Sequence, residues 1–129
     1  MRTFLQMILL ALASALVTGC ASTPVSGDAK PITVFEQPIE RVQKAAVDAI
    51  VVNGFDVTKQ EPTYVEGYRP RKLGLFIASG GETVGIWLDA QGANRTGVRV
   101  DTARSLVGWV GQENWNIEIL YEMLKSLTK

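Results

Sequence analysis

Few residues in this chain of 129 have the types and spacing that chemistry needs. There is no histidine, so the usual general base and the imidazole metal ligand are both missing. The single cysteine, Cys20, excludes an internal disulfide and a CxxC redox pair. Acid–base work would fall to carboxylates, and strand alternation puts Asp89 and Asp101 on one face of a hairpin. They fall at opposite ends of that ladder, with Arg99 two positions from Asp101, which reads as solvated sheet-surface charge. Gly80-Gly81 precedes a strand rather than a helix, the wrong order for a phosphate loop. No acidic run has calcium-loop spacing. The expectation is a protein that is not an enzyme and carries neither metal nor cofactor.

Two segments suggest contact instead of catalysis. Tyr68-Arg69-Pro70-Arg71-Lys72 is the only dense basic cluster. Its Arg69, Arg71 and Lys72 would meet phospholipid headgroups, lipopolysaccharide phosphates or an acidic partner, at about 1 kcal/mol per charge near an anionic surface. The competing reading leaves the arginines in water while Leu75, Phe76 and Ile77 of the following apolar run Leu73–Ala78 join the core through a short helix or strand. The second segment, 106–111, reads LVGWVG, a loop whose Trp109 is either an exposed recognition patch or a lid over one end of the core. With 13 basic and 13 acidic side chains, the whole chain has no electrostatic footprint for nucleic acid.

Residues 1–20 read MRTFLQMILLALASALVTGC. Arg2 precedes an apolar stretch over residues 4–17, short for a spanning helix and suited to a signal-peptide core. An uncleaved amphiphilic anchor is the other reading. The closing Val17-Thr18-Gly19-Cys20 resembles the lipobox of bacterial lipoproteins: a branched residue, two small residues, then cysteine. That resemblance implies cleavage between Gly19 and Cys20, with diacylglycerol on the Cys20 thiol and a further acyl chain such as palmitate. Two or more chains give stable anchoring where one is marginal. Ala21 and Ser22 follow the cysteine in place of an aspartate, which in the sorting rule of this family implies the outer membrane, facing the periplasm. Residues 20–31 then form a small, polar, proline-punctuated tether, extended or flexible, that holds the domain off the bilayer.

The folded part is a single domain over residues 32–129. Ile32–Phe35 is a short β-rich run. Pro38 opens a helix at its first position, with Ile39, Val42, Ala46, Ala49 and Ile50 on one face and Asn53-Gly54 as the stop. Phe55–Lys59 and Thr63–Tyr68 read as strands, the second with an edge position after Pro62. The clearest pair is Glu82–Ala90 with Arg95–Thr102. A three-residue loop over 92–94 sets Leu88 against Val98 and Ile86 against Val100, because a one-residue slip would bring Arg99 and Asp101 into the apolar face. The other face then sets Trp87 across from Arg99, a cation–π geometry. Over 114–127 the pattern is a second helix with Ile117, Leu120, Leu124 and Leu127 as its buried stripe, flanked by Trp115, Tyr121 and Met123. The order β-α-β-β-β-β-α implies an α+β fold, a single antiparallel sheet with both helices on one face.

The hairpin TVGIWLDAQGANRTGVRVDT, the glycine-rich loop and the helix NWNIEILYEMLKSL together resemble small envelope lipoprotein domains. In architecture they are similar to the helix-grip domains of the BamC-like lipoproteins of the outer-membrane assembly machinery. Small lipoprotein lysozyme inhibitors, which are all-β, fit less well. The resemblance implies a non-catalytic protein-binding or structural role in the cell envelope, with an envelope protein as partner, and supplies no catalytic residues. The alternative function is a carrier or binder of a lipid or polysaccharide ligand held between sheet and helices. A hydrolase using Asp89 or Asp101 is the distant third.

Overall fold

The computed structural model describes residues 23–25, 30–73, 76–104 and 114–129. Within them the chain runs β1 (Thr33–Phe35), α1 (Ile39–Val52), β2 (Asp56–Glu61), β3 (Tyr64–Leu73), β4 (Phe76–Gly92), β5 (Arg95–Arg104) and α2 (Asn116–Leu127). The strands form one antiparallel sheet in the order β1-β5-β4-β3-β2, and both helices pack on one face of it. The expected α+β fold and element order are those of the structure. No helix among the described residues is long and apolar enough to cross a membrane.

The β4–β5 register is the one that polarity demands. Leu88 pairs with Val98, Ile86 with Val100, Trp87 with Arg99, Asp89 with Gly97, and Gly85 with Asp101. The connection differs from the expected three-residue loop. A bulge between Ala90 and Gly92 lets Gly92 pair with Arg95, so the turn itself is Ala93-Asn94. An extra residue in one strand and a shorter loop give the same offset, which is why the register survives the difference.

Three further expectations are corrected. β3 is not an edge strand: it lies between β2 and β4, and the edge belongs to β2, all six residues of which are exposed. Pro62 interrupts the chain only in the β2–β3 turn, where no ladder bond is needed from it. Pro38 caps α1 from outside, with φ −59° and ψ 148°, its carbonyl accepting from the N–H groups of Arg41 and Val42. The third correction is the rotation of α2. Ile119 and Met123 are fully buried, with Trp115, Leu120 and Leu127 partly buried against the core, while Ile117, Tyr121 and Leu124 face water.

α1 ends as its sequence indicates. Gly54 has φ +80°, and the Phe55 and Gly54 N–H groups bond to the Ile50 and Val51 carbonyls, closing a left-handed cap that turns the chain into β2. Its buried face is Val42, Ala45, Ala46, Ala49 and Ile50. The alanines and Gly67 of β3 let helix and sheet approach closely. A Cβ built on Gly67 would come 2.5 Å from Ile50 Cγ2 and 3.1 Å from Phe55 Cβ. Gly67→Ala should therefore destabilise the domain by about 1–3 kcal/mol through overpacking against a β-branched, stiff side chain. Gly92→Ala, where the nearest atom would be 3.9 Å away, should stay within about 0.5 kcal/mol. Urea unfolding of the two variants makes the comparison.

Candidate functional site: the outer face of the sheet

With both helices on one side, the other side of the sheet is left to polar and aromatic residues. Alternation places Tyr64, Glu66 and Tyr68 of β3, Thr83, Gly85, Trp87 and Asp89 of β4, and Gly97, Arg99 and Asp101 of β5 on this outer face. Tyr64 and Trp87 are directly paired across β3 and β4, with ring centroids 5.0 Å apart and planes tilted by 41°. Gly85 gives the rings room. A Cβ there would fall 2.8 Å from the Trp87 ring edge and 2.9 Å from the Tyr64 hydroxyl.

Polar partners fix the aromatics. The Tyr64 hydroxyl donates to Glu66 Oε2 at 2.7 Å, and Thr58 Oγ1 donates to Glu66 Oε1 at 2.9 Å. Burial, then the hydrogen bond and charge of Glu66, push the Tyr64 phenol far above its ordinary range, so it stays a donor at any physiological pH. Beside this pair runs a groove of about 360 Å³ lined by Ile32, Thr63, Trp87, Asp89, Gly97 and Arg99. It offers one large aromatic face, one carboxylate and one guanidinium within a single concavity.

The two carboxylates singled out from sequence are not brought together. Asp89 and Asp101 are four ladder positions apart, about 14 Å along the strands, beyond the ~5–10 Å of paired catalytic acids. Asp89 is exposed at the groove, whereas Asp101 is buried and accepts from Lys30 Nζ at 2.6 Å and from the Val25 N–H at 2.9 Å. Among the described residues no group of three or more acids, cysteines or histidines is placed to hold a metal ion.

The basic cluster is divided by the fold. Arg69 turns to the helix side. Its guanidinium lies 4.2 Å from the Trp115 ring centroid and 5.2 Å from that of Phe55, donates to Glu82 Oε2 at 3.1 Å and reaches the Asn53 carbonyl at 3.4 Å. Arg71 and Lys72 continue β3 past a register shift at Pro70, opposite Ala78 and Ile77. β5 ends opposite Glu82 and β2 begins opposite Tyr68, so this stretch projects beyond the other described strands as a two-stranded arm. Within that arm Leu73 pairs with Phe76. Gly19, Cys20 and Trp109 lie outside the described residues.

Sequence reasoning found the Trp87–Arg99 pairing but not the groove. Its signal was the recurrence of glycine at mid-strand on one face, Gly85 and Gly97, where a missing side chain marks a close approach. Compared with known families and with curated protein sequences, the chain matches no family model and no curated sequence.

Proposed function

We propose that this is an envelope lipoprotein, anchored through acylated Cys20 in the outer membrane and facing the periplasm, whose domain works by binding another envelope protein rather than by catalysis. The observation that supports a binding role is the groove on the outer face. Trp, Tyr and Arg are the side chains that dominate protein–protein hot spots, and Trp87, Tyr64 and Arg99 stand together beside a groove there. Binding through the sheet edges is less favourable. β1 is only three residues long, and the β2 edge carries Asp56, Lys59 and Glu61, charges that discourage strand addition.

The carrier reading has less support. The sheet–helix interior is filled by fully buried Val42, Ile50, Val65, Val84, Ile86, Val98, Ile119 and Met123, and the groove opens on the opposite side. A polysaccharide lying across Trp87 is the variant of it that the groove accommodates.

A photo-crosslinking side chain in place of Asp89, at the groove rim, should trap one discrete envelope protein in cells. The same group in place of Glu118 on α2 should not. Cys20→Ala should leave an unprocessed or soluble chain and abolish the adduct. Equal labelling from both positions, or an adduct with polysaccharide alone, would reject the protein-binding reading. A Cys20→Ala chain that still fractionates as mature membrane protein would reject the anchor.

A further inference from the structure

The residues between the anchor and the domain are not a free spacer where they are described. Both oxygens of the Asp101 carboxylate are taken by this segment: Oδ2 by the Val25 N–H at 2.9 Å and Oδ1 by the Lys30 ammonium at 2.6 Å. The Asp101 side chain is only 12% exposed, so these are charge-assisted bonds in a partly dry site. The neighbouring strand is shaped to match. Pro24 seats over Gly85, where a Cβ would lie 2.8 Å from the Pro24 Cβ; any side chain at position 85 would displace it. Residues 24 and 25 thus cross the outer face from β4 to β5, beside the Tyr64–Trp87 pair.

We propose that residues 23–25 with Lys30 form a strap latched onto the outer face through Asp101, and that this latch sets how far the domain stands from the membrane. The stand-off rests on the Cys20 anchor argued above, while the latch does not. With the strap seated, Cys20 lies at most three steps, about 11 Å, from Thr23, and the outer face is turned toward the lipid. With the strap released, the thirteen steps from Cys20 to Thr33 reach about 45 Å when extended and ~20 Å on average as a flexible chain. The strap therefore couples two properties of the protein, its reach into the periplasm and the exposure of the face that carries the groove. A partner that binds the outer face more tightly when the strap is off shifts the domain to the extended state by that difference in affinity.

Amide exchange followed by NMR on the full-length mature chain tests the latch. The Val25 N–H should exchange at least tenfold more slowly than an unbonded amide. Asp101→Ala should remove that protection while the Ile86 amide, in the centre of the hairpin, keeps its own. Lys30→Ala, which leaves the sheet untouched, should accelerate Val25 exchange at least threefold. Wild-type Val25 exchange at the unprotected rate, or protection unchanged in both variants, would overturn the latch. In vesicles of phosphatidylethanolamine and phosphatidylglycerol, a donor dye on Asp89→Cys of the lipidated protein should transfer to acceptor lipid at least twofold more efficiently in the wild type than with Lys30→Ala. Equal transfer in both overturns the stand-off. A protected Val25 in a chain that carries no lipid keeps the latch and rejects the anchor together with the stand-off.

Discussion

Ile119→Ala should destabilise the domain by about 2–5 kcal/mol, while Ile117→Ala, two residues away on the same helix, should change stability by no more than about 0.5 kcal/mol. Ile119 is fully buried and Ile117 is 78% exposed. The first truncation opens a cavity between α2, α1 and the sheet, at a site bounded by Met123 and fully buried strand residues. The second removes methyl groups that are already in water. Chemical denaturation followed by circular dichroism separates the two outcomes, and a large loss for Ile117→Ala would mean that α2 packs through the face that carries Ile117 rather than Ile119. Met123→Ala should behave like Ile119→Ala, and Leu124→Ala, at 50% exposure, should fall between the extremes.

That contrast marks where the sequence stopped being informative. The helix NIEILYEMLKSL carries apolar residues at 117, 119, 120, 121, 123, 124 and 127, so two overlapping stripes satisfy the three- and four-residue spacing. Periodicity predicts 117-120-124-127, whereas the packed face is 115-119-123 with 120 and 127 at its margins. The deciding information is tertiary. Thr102 Oγ1 accepts from the Trp115 N–H and donates to Asn116 Oδ1, which pins the first turn to β5 and fixes the rotation about the helix axis. The β4–β5 hairpin had no such ambiguity, because a slip by one residue exchanges Val98 and Val100 for Arg99 and Asp101. α1 was equally legible, since charge occupies the face opposite Val42, Ala46, Ala49 and Ile50.

The candidate site was legible only in parts. Trp87 opposite Arg99 followed from the register, but their groove also needs Ile32 and Thr63, which come from the segment before β1 and the β2–β3 turn. No local pattern links those positions. The strap was hidden for a related reason. ASTPVSGDAKP has the composition of a linker, and composition does not reveal that one of its backbone N–H groups and its single lysine meet a carboxylate more than 70 residues later. Arg69 shows the converse. In sequence it belongs with Arg71 and Lys72, but as the next same-side residue after Gly67 on β3 it points toward the helices, not the outer face.

Arg69 also carries the second large expectation. Glu82 is buried and accepts from both Arg69 Nη2 and Trp115 Nε1, each at 3.1 Å. Trp115 in turn meets Phe55 edge to face at 5.5 Å. The cluster joins β3, β4, the end of α1 and the start of α2. Removing one partner of a fully buried ion pair costs about 3–5 kcal/mol, because the other charge is left without compensation. Here about a third of the Arg69 side chain remains in water, so screening lowers the figure, and Glu82→Ala should cost about 2–3 kcal/mol. Glu82→Gln keeps an acceptor for the indole and should cost about 1 kcal/mol. Arg69→Met should lose about 2 kcal/mol, since it takes one charged donor from the Glu82 carboxylate and removes a cation from over two aromatic rings. The double variant Arg69→Met with Glu82→Leu should be less destabilised than the sum of the single changes by at least 1 kcal/mol, because each single change already loses the shared Arg69–Glu82 contact. Additivity within ~0.3 kcal/mol would show that the two side chains act independently.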